Sequence, residues 1–527
     1  VDNPSGQRAR WDSPREEGAV VKDWGGRLPV ALVYPNRYYL GMSNLGIHAI
    51  YRWLNGERNC VAERVFYEPG EKKPPLSIES GRPLADFAVL AFSVSYELDY
   101  FNVANILKAG GIPPFAADRD LSHPLVIAGG PCITANPMPL SPFCDALAIG
   151  EAEAVLPALL PVLQEGGGRS ELLPALAKLP GIYVPACPPQ APVRRQYAAN
   201  LDDFATTTVV MTPDTELGDL YLIEAERGCA RGCRFCLVNS AFAPMRFRAA
   251  ENLIRQAEAG LKFRRRIGLV GPAVTDHPEL KKILSGINGL GAGLAVSSLR
   301  IGSLSDAIIA ELARGKVRTV TIAPEAGAAR LRRAINKAIS DDDILRVADA
   351  IAGGGFRHLK LYFIIGLPTE TDEDAAEIAR LALAIKDRLD NKGSGTRLVL
   401  NVTPFVPKAG TPFQWLPMAP PEALDRRLNI LRGALPARGI RLNAESPAWS
   451  RVQGALARGD ARLAPAIADM EKTSLSGWRK AVAKHNLDID YYVNQRWGTG
   501  DKLPWDVIDS GTKAERLCSE LEKALAV

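Results

Sequence analysis

Long apolar runs are missing from the 527 residues: no stretch of about 18 uncharged apolar residues occurs, which argues against a membrane span. Cysteine is sparse, with eight residues, too few for a disulfide-stapled scaffold of this length. Their clustering points instead to a reducing compartment and a metal site. Charge of one sign is barely in excess, because 64 Lys and Arg face 59 Asp and Glu, a net +5. No run of Lys and Arg has the density of a nucleic-acid-binding arm, and the tightest cluster, Arg264, Arg265 and Arg266, reads as a solvated helix end. Nucleic acid is thus permitted as a partner and not indicated. The opening segment, VDNPSGQRARWDSPREEG, is polar and has no apolar core of the kind a secretory leader needs. The expected location is the cytoplasm.

What is present is the composition of a globular enzyme, 47% hydrophobic and 23% charged. At roughly 150 residues per domain the length predicts about three to four domains. After an N-terminal extension (1–27), residues 28–168 alternate short apolar runs (LPVALVY, FAVLAFSV, PLVIAGGP, DALAIG) with helical patterns such as LGIHAIYRWLNGE. Wholly apolar strands alternating with helices predict a parallel sheet covered on both faces, a Rossmann-like α/β domain. Residues 169–215 are rich in proline and poor in periodicity, and read as a linker. Six further strand–helix repeats fill 216–419 and predict an open or partial (β/α)6 barrel, with function at the C-terminal strand ends. Residues 420–527 read as a mainly helical C-terminal domain.

The sharpest signal follows the first strand of the second region. In GCARGCRFC, Cys229, Cys233 and Cys236 form C-x3-C-x2-C on a loop whose glycines let the backbone curl. Three thiolates this close can hold three corners of an iron–sulfur cube, leaving the fourth iron open. Tetrahedral zinc wants a fourth Cys or His nearby, and the next histidine downstream is His277. A redox pair of the thioredoxin type fits poorly, because three cysteines share one loop.

This spacing, with the aromatic Phe235 before the last cysteine, resembles the radical S-adenosylmethionine (SAM) superfamily. The resemblance implies a [4Fe–4S] cluster whose open iron chelates the amino and carboxylate groups of SAM, and an electron transfer that cleaves the sulfonium to a 5′-deoxyadenosyl radical. It also implies a small electron donor such as flavodoxin or ferredoxin. Candidate SAM-contacting positions follow by matching strand ends. Gly268 and Gly271 stand where the family has a Gly-rich turn, here without its usual acidic residue. Ser298 and Arg300 close the third strand, Glu325 follows the fourth, and Gly366, in FIIGLP, stands where the family's backbone lies beside adenine. A hydroxyl or carboxylate suits a ribose, and a guanidinium suits a carboxylate.

The first domain resembles the parallel-sheet domain of radical enzymes that bind cobalamin. Asn36, Tyr38 and Gly41 form N-x-Y-x-x-G where those domains carry D-x-H-x-x-G; Ser93 and Ser95 end the second apolar strand; Gly129 and Gly130 end the third; Glu151 and Glu153 sit in IGEAE. Tyr38 replaces the histidine that would ligate cobalt from below. The resemblance implies either cobalamin bound with Tyr38 beneath an unligated cobalt, the favoured reading, or a domain that keeps the fold and has lost the cofactor. Cys60, Cys132, Cys144 and Cys187 have no short pair spacing, so a second cluster would need the fold to gather them. Over nearly its whole length the chain most resembles a family of radical proteins with no assigned reaction.

The expected activity is therefore cobalamin-dependent methyl transfer to an unactivated carbon. The alternative is a cobalamin-free radical enzyme modifying RNA or protein, and a third reading is an iron–sulfur electron carrier or sensor. Trp478, His485, Tyr491, Tyr492 and Trp497 are available for substrate, although aromatics at such spacings more often form core.

Overall fold

The computed structural model describes residues 14–71, 73–297 and 299–527. The first sheet is built from β1 (Leu28–Val33), β2 (Cys60–Val65), β3 (Val89–Ser93), β4 (Leu125–Gly129), β5 (Ala146–Ala148) and β6 (Ile182–Tyr183), in the order β2-β1-β3-β4-β5-β6. All its pairings are parallel except that of β6 on β5. This is a doubly wound arrangement, whose ligand crevice lies at the carboxyl ends of the strands. Helices start there on ordinary capping chemistry: the Asn44 side chain accepts the N–H groups of Gly46 (2.8 Å) and Ile47 (3.4 Å) to open Leu45–Gly56.

β2 escaped the sequence pattern because CVAERV carries two charges in its middle. Both are buried: Arg64 is gripped by Glu16 and Glu79, and Glu63 by Trp24 and Ser80. Paired charges can occupy a core strand that hydrophobic alternation would reject.

The second module has seven parallel strands in two sheets. β7 (Leu220–Glu224), β8 (Arg266–Val270) and β9 (Gly293–Val296) run in the order β9-β8-β7. β10 (Thr319–Glu325), β11 (His358–Ile365), β12 (Arg397–Pro404) and β13 (Arg441–Ala444) follow in sequence order. The partial barrel thus takes one strand beyond the six expected, from the otherwise helical segment after residue 420. RLNA is an exposed edge strand with no apolar run to betray it. Capping boxes from Ser340 to Asp343 and from Thr371 to Asp374 open the helices Asp341–Gly353 and Asp372–Asn391 that cover the outside. On β11, Leu359, Leu361, Phe363 and Ile365 are buried under those helices while Tyr362 is exposed on the opposite, inner face.

The 169–215 stretch is not a free linker. It supplies β6, and its Val193–Arg194 pairs with Ile508–Asp509 of the C-terminal segment. That segment in turn shares one apolar core with a face of the first sheet, where Phe101 meets Trp478 edge-on at 5.6 Å. Trp478, Tyr492 and Trp497 are buried in this core, leaving Tyr491 as the exposed ring. Two buried amides tie the docking: Asn105 donates to the Met470 carbonyl (2.8 Å), and Asn136 to those of Ala457 (3.1 Å) and Gly459 (2.8 Å). Among the described residues no helix is long and apolar enough to cross a membrane.

Asn136→Ala strands two buried carbonyls at this contact. It is expected to lower stability by about 1–3 kcal/mol, read as a lower urea midpoint, with faster hydrogen exchange across 457–463. An unchanged midpoint would show that the C-terminal segment docks without this contact.

Candidate active site

The cysteine loop leaves β7 through Ala225 and a short antiparallel ladder of Glu226–Arg227 with Arg246–Phe247. Gly228 then turns with φ +84°, in a space where a Cβ would lie 2.6 Å from the carbonyl oxygens of Phe242 and Pro244. Only glycine fits this entry. The far side is pinned by the segment after Ala329–Ala334: Asn336 donates to the carbonyls of Arg231 (3.2 Å) and Gly232 (3.0 Å), while Arg234 donates to those of Arg333 and Ala334 and pairs with Glu520.

Cys229, Cys233 and Cys236 are partly buried free thiols close enough to feel each other's charge. Burial pushes Cys236 up to about 12 and raises Cys233 as well. Among the described residues no three Cys, His, Asp or Glu side chains gather tightly enough for a single metal ion. The donor set still fits a cube, because each thiolate there binds its own iron and the sulfurs stand further apart than the ligands of one ion. Phe235 packs against the core shared with the first sheet.

The other expected SAM positions divide. Gly271 lies just beyond β8 beside the loop, its N–H donating to Ser297 Oγ (3.1 Å), and a Cβ there would meet Glu226 Oε1 at 2.3 Å. Glu325 ends β10 at φ +68°, strained for a carboxylate residue, with Lys337 Nζ 2.9 Å away and the Cys233 thiol within range of its charge. Gly366 turns at φ +78° after β11, its N–H donated to Glu370. One expectation needs correction. Gly268 sits mid-strand, with Leu222 filling the space where its side chain would be, so it is a packing glycine. Arg300 gives Nη1 to Asp276 at 2.6 Å, an aspartate that also holds Arg231 and Ser303, so this guanidinium is anchored through one nitrogen. Ser298 lies outside the described residues.

At the first sheet, a cavity of about 440 Å³ runs along one face from the strand ends inward. Ser93, Ser95, Gly129 and Gly130 line it, as does a deep apolar wall including Leu54, Val89 and Leu160. Gly130 adopts φ +112°, and a Cβ there would reach the Val94 carbonyl oxygen at 2.4 Å. Asn36, Tyr38 and Gly41 do not line this cavity. Asn36 donates to Asp99, Tyr38 donates to Glu16 with its ring edge-on to Phe66, and Gly41 leaves room for the Phe66 and Tyr34 rings. Tyr38 is thus a core residue (8% exposed) and not the floor of a ligand site.

Glu151, Glu153, Glu224 and Arg227 also line the cavity. Arg227 joins both modules: it donates to Glu151 (2.8 Å), Glu153 (2.9 Å) and Glu224 (2.8 Å), while Arg246 takes the rest of Glu151 and Arg248 the rest of Glu224. In the sequence Arg227 closes the run DLYLIEAER, which reads as a strand. A charged pair, Glu226-Arg227, immediately before the GC of the cysteine motif was the available signal.

Arg227→Met leaves Glu153 buried without a cation and is expected to destabilise by roughly 3–5 kcal/mol, seen as a lower Tm at pH 7. Burial opposes ionisation of Glu224, yet Arg227 and Arg248 hold its carboxyl below the usual range. That stabilisation is present above the ordinary carboxylate value and is lost as pH falls through the depressed one. The Tm gap between variant and wild type should therefore narrow below about pH 4; a gap independent of pH would contradict the ion-pair account.

Comparison with known proteins agrees with this construction. The profile described as radical SAM proteins, N-terminal, matches residues 46–185, and the profile of the radical SAM superfamily matches residues 223–382. An uncharacterised protein of Methanocaldococcus jannaschii is 30% identical over 482 residues, covering 88% of this chain and 96% of that protein. Among solved structures, the radical SAM methyltransferase TsrM from Kitasatospora setae, with tryptophan substrate and a SAM analogue bound, superposes with TM-score 0.52 at 12% identity, over 87% of this chain and all of that one. The same enzyme with cobalamin and a [4Fe–4S] cluster gives 0.50 at 13% identity, over 87% of this chain and 99% of that one. At such identity the likeness is one of fold, an α/β architecture of parallel sheets with a helical complement. The chain belongs to the radical SAM superfamily.

Proposed function

We propose that this radical SAM enzyme is a cobalamin-dependent methyltransferase acting on an unactivated carbon. The observation that carries the reading is the cavity of about 440 Å³ in the first module. An ordinary doubly wound domain fills the space between sheet and helices with side chains. Here Leu54, Val89, Ile127, Leu160 and Leu163 belong to one buried apolar cluster and still wall a volume that opens at the strand ends. Such a slot suits a flat, largely apolar group on a polar tether, and the nucleotide tail of cobalamin has that shape.

When bound, the reduced cluster supplies an electron to SAM, and cobalamin supplies a transferable methyl group. The protein's part is placement and exclusion of water. Cys229, Cys233 and Cys236 would hold the cluster at the C-terminal end of β7. Ser93 and Ser95 would offer hydroxyls, and Gly129 and Gly130 bare backbone, to the cobalamin tail. Arg227, which both lines the cavity and lies two residues before Cys229, keeps the two cofactor sites in one rigid frame. Radical SAM enzymes also need an external reductant, here proposed as a flavodoxin or ferredoxin. The TsrM fold likeness supports the same reading.

The test is metal content after anaerobic loading and desalting. The wild type is expected to keep about four irons per chain with cobalt and corrin absorption bands. Ala49 lines the cavity from the helix Leu45–Gly56, so Ala49→Phe should lose cobalt and keep iron. A wild type that retains no corrin would return the first module to a scaffold and favour the cobalamin-free enzyme. Cys229→Ala should lose the iron and with it all 5′-deoxyadenosine release; a variant that still released the nucleoside would defeat the cluster assignment.

A further inference from the structure

Three carboxylates crowd the corner where the ends of β7 and β8 meet the cysteine loop. Glu224 is paired with Arg227 and Arg248, and Asp276 with Arg231 and Arg300. The third, Glu226, has no cationic partner among the described residues, although only 1% of its surface is exposed. Its Oε1 accepts the Ala273 N–H at 2.6 Å, and its Oε2 accepts nothing. Buried carboxylate oxygens are nearly always satisfied, so an orphan of this kind marks a missing donor.

Gly271 packs directly against the Glu226 carboxylate, and any side chain there would displace it. The turn after β8 has no acidic residue of its own between Gly268 and Gly271. Glu226 precedes Cys229 by three residues, so it belongs to the same corner as the cluster loop.

SAM carries two positive centres of different chemistry. The sulfonium has no N–H to donate, whereas the ammonium has three. Of these two cationic centres only the ammonium can donate a hydrogen bond to an orphaned acceptor oxygen. We propose that Glu226 receives the ammonium group of SAM through Oε2, while Ala273 N–H holds Oε1 in place. Burial, aided by the charges of Glu224 and Asp276, pushes the free Glu226 carboxyl up to about 8, as expected of a site that lacks its cation. The assignment depends on the superfamily's nucleoside cofactor and is independent of what fills the cavity in the first module.

The experiment uses the iron-loaded full chain under anaerobic conditions and calorimetric titration with two probes, S-adenosylhomocysteine and its desamino analogue, which lacks only the ammonium. The wild type is expected to prefer S-adenosylhomocysteine. In Glu226→Gln that ligand should weaken by about 10- to 100-fold, the range for a charge-assisted hydrogen bond, while the analogue is unchanged and the iron count is kept. Equal weakening of both probes, or of neither, would overturn the assignment. Glu226→Asp, which keeps the charge and shortens the reach, covers the case in which the Gln variant loses its iron: a partial loss confined to S-adenosylhomocysteine is expected, and a loss shared by both probes would overturn the proposal. A wild type that binds neither probe would count against the cofactor assignment itself, a result distinct from binding without preference.

Discussion

The Arg227 guanidinium is the joint on which the two modules depend. Its nitrogens reach three carboxylates, one at the end of β7 and two at the start of the Ala152–Glu165 helix of the first module. Removing so many charges from water is expensive, and the arrangement is tolerable only because every partner is bonded in good geometry. Arg246 and Arg248 complete the network by satisfying the remaining oxygens of Glu151 and Glu224. The network is also positional. It fixes the end of β7, from which the cysteine loop departs, against the strand ends of the first sheet, where the cavity opens.

The first sheet uses its two faces differently. One is packed solid, sharing a core with the C-terminal helices and their tryptophans. The other also packs against the helices Leu45–Gly56 and Ala152–Glu165 but leaves the cavity between them and the sheet. The C-terminal segment stiffens the sheet from behind and leaves the front free for a ligand. The barrel shows a related asymmetry: its outer face is a continuous apolar core under helices, while its inner face carries Tyr362, Asn401 and Asn443 in one cross-strand row. A barrel wall that alternates in this way is built to line a chamber.

The cluster corner shows how unlike neighbouring carboxylates can be. Glu224 and Asp276 raise the cost of ionising Glu226, and both are themselves neutralised by arginines from adjacent segments. Asp276 serves as the common anchor for Arg231 of the cysteine loop and Arg300 beyond β9, so one aspartate braces the loop against the next strand end. Glu226 is held apart from all of these cations by the Gly271 turn and the Ala273 N–H.

Local chemistry was legible in the sequence wherever a few adjacent residues suffice. The C-x3-C-x2-C loop, the apolar strands of the first sheet and the glycine at 366 each depend on spacing or backbone freedom, which a linear chain carries by itself. Direction and pairing were not legible. Whether Tyr38 faces a ligand or Phe66, what Arg300 pairs with, and whether the charged β2 can lie in a core are decided by partners tens of residues away. The cavity and the orphaned oxygen of Glu226 belong to the same class. Both are spaces left by packing, and a space exists only once the walls around it have been assembled.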